Sequence, residues 1–129
     1  MKKHNSKLNN IKTNGCDSRR EYRRLVQLQL MQKAGQIYDL QTQVRFELVP
    51  PLYEYEARTS PKTGKRLKDK KVCIERGMSY VADFVYVDSK TGEKIVEDAK
   101  GVKSGCTYAL FVAKRKLMLL IHGLKVREV

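Results

Sequence analysis

The chain has few cysteines and histidines, and it contains no long apolar run. Its three cysteines (Cys16, Cys73 and Cys106) are widely spaced and form no Cys-x-x-Cys pair, so neither a disulfide framework nor a zinc site is expected. Neither His4 nor His122 has neighbours that suggest a catalytic histidine. No stretch approaches the roughly 20 apolar residues of a membrane span, and the N-terminus lacks the apolar core of a signal peptide. We therefore expect a cytoplasmic protein that does not contact a membrane.

Positive charge is the dominant property of the composition. The 129 residues include 27 Lys and Arg against 14 Asp and Glu, which gives a formal net charge of +13. Such an excess repels itself unless a polyanion is near, and nucleic acid is the commonest polyanionic partner. The alternative is a basic protein with no particular partner. The length fits one domain, which we place at residues 15–129, after a polar, basic and flexible arm at residues 1–14.

The first part of the domain predicts a helix. Ser18 and Glu21 have the spacing of a capping box, in which side chains satisfy the free amides of a helix start. An apolar stripe recurs at helical spacing after them. Its members are Tyr22, Val26, Leu30, Ala34 and Ile37, widened by Leu25 and Leu28. Periodicity also places Glu21 on the side of Leu25 and Leu28, toward the core.

The remaining pattern predicts strands followed by a second helix. One strand ends at Pro50-Pro51, and residues 52–57 are expected to continue it after a kink. Residues 57–71 are expected to form a basic, turn-rich loop. A long strand follows to Asp88, with a possible break at Gly77. Residues 94–101 return as its partner strand. A helix then runs from a cap at Ser104 to a stop at Gly123, and a short strand ends the chain. The predicted class is α/β (α+β).

Two aspartates meet in the predicted hairpin. If residues 89–92 form a four-residue loop, Asp88 faces Glu93, and the same register sets Asp83 directly opposite Asp98. Their Cβ atoms would then be roughly 5 Å apart. Alternation places Lys100 on the face of Asp98 and Glu97 on the other face, where we expect it to meet solvent. Opposed carboxylates repel each other, and a divalent cation such as Mg²⁺ would relieve that repulsion.

The same acidic residues also have plain structural explanations. Asp98 and Lys100 could form an exposed ion pair on an edge strand, and Asp83 could face solvent. The spacing Asp-x-Lys alone is a weak signal, because a basic chain contains many such triplets by chance. The second aspartate across the hairpin is what favours a metal-assisted phosphodiester hydrolase, in which Lys100 would orient water or stabilise charge on the phosphate.

The hairpin sequence "YVADFVYVDSKTGEKIVEDAKG" resembles the core of the PD-(D/E)XK nuclease superfamily. Asp83 matches the first acid of that pattern, and Asp98-Ala99-Lys100 matches the tripeptide; Ala82 stands where the superfamily name has proline. Over roughly residues 14–129 the chain is similar to small phage-encoded proteins related to Holliday junction resolvases. The resemblance implies a restriction-endonuclease-like fold with a mixed sheet flanked by helices, Mg²⁺ or Mn²⁺ dependence and a DNA substrate.

The resemblance also implies further site residues. Asp17, Ser18 and Glu21 match the helix opening of those relatives, and a glutamate on the first helix completes the metal site in many nucleases of the superfamily. Glu21 would therefore join Asp83 and Asp98 as a metal ligand, although the capping box explains it equally without metal. Gln43 is an accessory candidate, or an ordinary glutamine at a strand end.

Contacts with DNA phosphates are expected from clustered cations. The candidates are Arg19, Arg20, Arg23, Arg24, Lys103, Lys114, Arg115 and Lys116, with the basic loop at Lys62, Lys65, Arg66, Lys68, Lys70 and Lys71. Tyr108 and Phe111 could stack on bases, but core packing explains them more simply. We expect a phage endonuclease of DNA recombination acting on Holliday junctions. Because resolution needs two opposed cuts, a homodimer is expected. The alternatives are a nuclease for flaps, nicks or linear duplex, and a DNA-binding protein that cuts nothing.

Overall fold

The computed structural model describes residues 18–101 and 103–129. The predicted flexible arm at residues 1–14 lies outside this range, as do Cys16 and Asp17. The elements in chain order are α1 (Arg19–Lys33), β1 (Ile37–Val49), β2 (Leu52–Thr59), β3 (Arg66–Glu75), β4 (Met78–Asp88), β5 (Lys94–Asp98), α2 (Gly105–Leu117), a π-helical segment (Met118–His122) and β6 (Val126–Glu128). The fold is therefore mixed α+β, as the sequence predicts.

Four strands form a mixed sheet in the order β1-β4-β5-β6. The β1–β4 and β4–β5 pairs are antiparallel, whereas β5 and β6 run parallel. The short strand β6 continues past its ladder, where the Lys100 amide donates to the Val129 carbonyl and the Val129 amide donates to the Asp98 carbonyl. The C-terminal residues thus fix the backbone of the Asp-Ala-Lys segment.

Helix α1 covers one face of this sheet. The Ser18 hydroxyl accepts a hydrogen bond from the Glu21 amide, which is the predicted cap at the helix start. Leu28 is fully buried and packs in a cluster whose other buried members are Ile37, Phe84, Tyr86 and Ile95. The predicted apolar stripe is wrong in part, because Leu30 is 60% exposed. The face of the helix that contacts the sheet instead includes Glu21 and Arg24.

A buried ion pair connects α1 to the sheet. Glu97 on β5 is only 1% exposed. Arg24 donates to both of its carboxylate oxygens, from Nε at 2.8 Å and from Nη2 at 2.6 Å, and the Tyr86 hydroxyl donates to Oε1 as well. The hydrogen bond to Glu97 raises the pKa of Arg24, and burial with the same acceptor raises the pKa of Tyr86 to about 12. Glu97 lies on the opposite face of the sheet from Asp98, as predicted. The expectation that it meets solvent there is wrong, because α1 covers it.

Helix α2 and the π-helical segment cover the other face. Phe111 and Met118 pack there against residues of all four strands of the sheet. These strand residues are Leu48, Tyr80, Ala82, Val85, Val96 and Val126. Gly123 ends the helical segment with φ of 66°, in the left-handed region that favours glycine, as the sequence predicts. No helix in the part of the chain that the structure describes is long and apolar enough to cross a membrane.

Strands β2 and β3 form a separate two-stranded hairpin, which we call the arm (residues 52–75). Within residues 18–101 and 103–129 these strands pair only with each other, and all of β2 and nearly all of β3 is exposed. The basic loop predicted at residues 57–71 is therefore wrong in part, because only residues 60–65 form the turn between the strands. Residues 57–71 are mostly charged and polar, so this part of the ribbon lacks the apolar alternation by which half-buried strands are recognised.

Gly77 lies where the arm rejoins the sheet, between β3 and β4. A Cβ atom there would stand 3.0 Å from the Val49 carbonyl oxygen and 3.1 Å from Cδ of Pro51. Backbone on one side and a proline ring on the other leave little room for adjustment. The predicted strand break at Gly77 is thus confirmed, and close packing explains the glycine.

We expect Gly77→Ala to destabilise the protein by about 1–3 kcal/mol, the usual cost of overpacking a tight contact. The free energy of unfolding, measured by urea titration, checks this. Gly101→Ala is the matched control, because a Cβ at Gly101 meets nothing within 4 Å and its φ is not positive. Equal stability of the two variants would contradict the packing explanation.

We expect Glu97→Ala to destabilise the protein by about 1.5–3 kcal/mol, the usual contribution of a hydrogen bond to a charged group, because the Arg24 side chain that loses its partner is 25% exposed and stays partly solvated. The exposed carboxylate of Glu93, in the turn before the same strand, provides the control. Glu93→Ala should change the free energy of unfolding by no more than about 0.5 kcal/mol. Similar urea midpoints for the two variants would show that the Arg24–Glu97 pair does not hold the helix.

Candidate active site

The predicted hairpin register is present in the structure. Phe84 pairs with Glu97 and Val87 with Lys94 across β4 and β5. The same register, continued by one residue, brings Asp83 opposite Asp98. The four-residue loop that sets this register is closed by Asp88, whose amide donates to the Glu93 carbonyl and whose side chain accepts from the amides of Lys90 and Thr91.

Both strands are irregular where Asp83 lies. Gln43 lies opposite Asp83 between two regular pairs of β1 and β4, and its φ is 52°, which is uncommon for a residue other than glycine. Ala82 packs on the α2 face while Phe84 packs on the α1 face, although regular alternation would put them together. The alternation of a regular strand is therefore broken between Ala82 and Phe84. Asp83 stands at the point where β4 changes the face that it presents.

Asp98 is 4% exposed and lies on the α2 side of the sheet. Its Oδ1 is 2.9 Å from Nζ of Lys100, and its Oδ2 accepts a hydrogen bond of 2.6 Å from the Tyr80 hydroxyl. Burial, together with this bond to Asp98, raises the pKa of Tyr80. The Lys100 ammonium also lies 4.3 Å from the centre of the Phe111 ring. Asp98 and Lys100 therefore share a face, as predicted, in a setting more buried than an edge-strand ion pair.

Asp83 accepts a 2.8 Å hydrogen bond from the Ala99 amide on Oδ2 and a longer one, 3.4 Å, from Gln43 on Oδ1. Desolvation raises the pKa of Asp83 to about 6; the Ala99 bond opposes the rise, and the negative charges of Asp98 and Glu21 add to it. The three predicted acids are thus close enough to influence one another. Negative charge is concentrated at this point of an otherwise basic protein.

Glu21 reaches the same place from α1. It is 6% exposed, and its Oε1 accepts a 3.0 Å hydrogen bond from the Gln43 side chain. The single Gln43 amide nitrogen therefore bridges Glu21 and Asp83. Periodicity correctly predicts that Glu21 faces the core, whereas the position of Gln43 between two carboxylates depends on a backbone conformation that no sequence pattern signals.

A cleft of about 420 Å³ opens beside Asp98 and Lys100. Arg45 and Lys114 place two further cations in its wall, and Thr107 adds a hydroxyl. Of these residues, the sequence indicates only Lys114. Tyr80 lies three residues before Asp83 on β4, and Arg45 lies two residues after Gln43 on β1. Their spacing from these two predicted residues is the sequence signal that could have identified them.

The predicted DNA-binding cations fall into two groups. Arg24 is bound to Glu97, and Lys103 and Arg115 lie 3.3 and 2.6 Å from the Glu128 carboxylate. These three cations have structural partners. The other group, among the described residues, shows no carboxylate within ion-pair distance. Its members are Arg19, Arg20, Arg23, Lys114 and Lys116, of which the three arginines line a cavity of about 520 Å³ together with Arg24, Gln27 and Val129.

The candidate site has the oxygen donors that a divalent metal prefers, but its side chains do not form a complete set of metal ligands. Among residues 18–101 and 103–129, no group of three or more His, Cys, Asp or Glu side chains is arranged to hold an ion. Asp83 and Asp98 are nevertheless oxygen donors on neighbouring strands, and Mg²⁺ is commonly bound by one or two carboxylates while it keeps several waters. Desolvation raises the pKa of Asp83, and the negative charges of Asp98 and Glu21 raise it further; a bound cation would oppose both effects.

Comparison with known proteins gives one match. No curated protein and no solved structure matches the chain. A family model described as "Protein of unknown function (DUF1064)" matches residues 1–123, which is nearly the whole chain. The protein therefore belongs to the DUF1064 family.

Proposed function

We propose that this protein is a metal-dependent DNA endonuclease with a restriction-endonuclease-like fold, and that four-way (Holliday) junctions are its substrate. The main support is that Asp98 and Lys100 line a cleft, and that Asp83 accepts a hydrogen bond from the Ala99 amide between them and is linked to Glu21 through Gln43. These residues come from α1, β1, β4 and β5, so the fold brings together groups far apart in sequence. A mixed sheet with one helix on each face is consistent with that fold.

Asp83 and Asp98 would hold the metal, with Glu21 beside them. A bound Mg²⁺ or Mn²⁺ would supply positive charge for the scissile phosphate and lower the pKa of the attacking water. Lys100 lies 2.9 Å from Asp98 and lines the cleft. Its ammonium can donate there to a phosphate oxygen and stabilise the negative charge that develops on it. Arg45 and Lys114 in the same cleft can bind the flanking phosphates.

A junction has two strands to be cut, and one protomer offers one set of these acids. Two matched cuts on opposed strands would be made by a two-fold homodimer, in which each copy cleaves one strand. The net charge of +13 supports binding to a polyanion as large as branched DNA.

A non-catalytic DNA-binding protein is the second candidate, and one specific observation favours it. Each carboxylate already has protein partners, since Tyr80 and Lys100 contact Asp98, and Gln43 and Ala99 contact Asp83. These bonds could serve only to stabilise the hairpin. Metal-dependent cleavage distinguishes the two functions.

We expect the purified protein to cut a four-way DNA junction in Mg²⁺ or Mn²⁺ and not in EDTA. Asp98→Asn, which keeps the size of the side chain, should slow cutting by at least about 100-fold, since even the outer partners of metal ligands are worth about 10–100-fold. Binding to the junction in EDTA should persist in this variant. Glu93→Gln is the control for loss of one negative charge and should cut like the wild type.

Flaps, nicked duplex and linear duplex belong in the same assay. Faster cutting of one of these than of the junction would replace the Holliday junction as the substrate but keep the nuclease. Junctions that are bound yet left intact in both metals would exclude the enzyme and favour the DNA-binding protein.

We expect the metal-free protein to lose stability as the pH rises from about 4 to about 6. The pKa of Asp83 is raised from its ordinary 3.8 to about 6 in the folded state. The folded state therefore binds this proton more tightly than the unfolded state does, and stability falls as the pH rises between the two values. Urea titrations in EDTA at pH 4, 5, 6 and 7 measure the effect.

Asp83→Asn should lack this part of the pH dependence, because its side chain does not titrate. At pH 7.5, Mg²⁺ should raise the melting temperature of the wild type and leave that of Asp83→Asn unchanged. Parallel pH curves for the two proteins, or an equal response to Mg²⁺, would contradict the placement of Asp83 at a metal site.

A further inference from the structure

The arm is the largest feature of the structure that the candidate active site does not explain. Its two strands pair only with each other, and a lone two-stranded hairpin is marginally stable in water at best. With eight residues in β2, it extends by about 27 Å at 3.4 Å per residue. A ribbon of this length without a covering layer suggests that something else packs on it.

Charge is unevenly distributed along the arm. Its distal part, residues 57–69, contains one acid, Asp69, while Glu54, Glu56 and Glu75 lie nearer the base, where Glu56 pairs with Lys70 and Tyr55 with Lys71. The cations of the distal part are Arg58, Lys62, Lys65, Arg66 and Lys68. Two of them have contacts within the arm, since Arg58 donates to the Lys68 carbonyl and Arg66 lies 3.6 Å from Asp69. The others leave a strongly positive end.

One face of the ribbon adds aromatic groups to this charge. Tyr53 and Tyr55 alternate on β2, so they share a face, and Lys71 pairs with Tyr55 across the strands. The Lys71 ammonium lies 4.0 Å from the centre of the Tyr53 ring, and Tyr55 is 65% exposed. Phenol rings and ammonium groups side by side suit a surface of phosphates and sugars better than they suit an apolar ligand.

We propose that the arm is a DNA-binding element whose distal part enters the major groove of a duplex next to the cleavage site. A major groove about 12 Å wide accepts a two-stranded β-ribbon, and the positive end of the arm complements its phosphate walls. A second copy of the chain fits less well, because two arms in contact would bring like charges together. This inference rests on the proposed DNA substrate. It extends that proposal by naming the element that holds the duplex branches of the junction.

The position of the arm supports this role. Its base is at the Met78 end of β4, and Asp83 is five residues along that strand, about 17 Å away at 3.4 Å per residue. Asp98 lies at the end of β5 nearer to the arm, because β4 and β5 are antiparallel. The base of the arm therefore lies at the half of the sheet that contains the acids.

The test compares two triple variants by fluorescence anisotropy in EDTA, with a labelled junction and a labelled duplex, from 50 to 200 mM KCl. The arm variant is Lys62→Gln/Lys65→Gln/Lys68→Gln. The control, Lys33→Gln/Lys90→Gln/Lys125→Gln, removes the same charge near the opposite end of β4, where the Ser89 amide bonds the Gln36 carbonyl. The arm variant should bind more weakly and lower the slope of log K against log salt by about 1 per lysine, about 3 in all, with a smaller change in the control.

Equal slopes for the two variants would overturn the inference, because they would show a general effect of net charge. A change of oligomeric state confined to the arm variant, seen by light scattering, would also overturn it and identify the arm as a contact between copies. An RNA duplex tests the groove. Its deep, narrow major groove does not admit a ribbon, so the wild type should prefer DNA and the arm variant should lose that preference; an unchanged preference contradicts insertion.

Cutting assays with the same proteins separate this inference from the proposed function. If the wild type binds through the arm but never cuts, the nuclease is wrong and the arm remains a DNA-binding element. If the wild type cuts and the arm variant binds with an unchanged slope, the nuclease stands and the arm inference is wrong.

Discussion

The buried carboxylate of Glu97 is the constraint on which the arrangement of the candidate site depends. Because an unpaired charge at such a position is costly, α1 must keep Arg24 against β5. Arg24 and Glu21 are three residues apart, so they lie on the same side of the helix. The ion pair that docks the helix therefore also holds Glu21 at Gln43 and, through Gln43, next to Asp83.

Consecutive residues of β5 have different roles because successive side chains of a strand point to opposite faces of the sheet. Glu97 binds the helix on one side, and Asp98 faces the cleft on the other. Gln43 and Asp83 lie opposite each other, so in regular strands both side chains would point to the same face of the sheet. The left-handed backbone at Gln43 and the change of face at Asp83 allow groups from both sides of the sheet to meet. The local irregularity thus joins Glu21 from the α1 side to the acids of the hairpin.

Local patterns predicted what depends on local geometry. The four-residue loop sets the register of β4 and β5, so counting predicts the pair Phe84–Glu97 and places Asp83 opposite Asp98 one residue beyond it. The burial of Glu97 could not be predicted in this way, because its partner Arg24 is 73 residues distant and a carboxylate alone suggests solvent. For the same reason, apolar periodicity favoured the side of α1 with Leu30 over the side with Arg24. The distal part of the arm was predicted as a loop because its charged residues show no apolar alternation.

The separation of the arm from the sheet also explains how a chain with a net charge of +13 stays compact. At physiological ionic strength, charges are screened beyond about 8 Å. An arm about 27 Å long, at 3.4 Å per residue, places most of its cations beyond that distance from the sheet. Three cations nearer the core are instead paired with carboxylates, Arg24 with Glu97 and both Lys103 and Arg115 with Glu128. Positive charge is thus kept where it costs the fold little and where a polyanion can reach it.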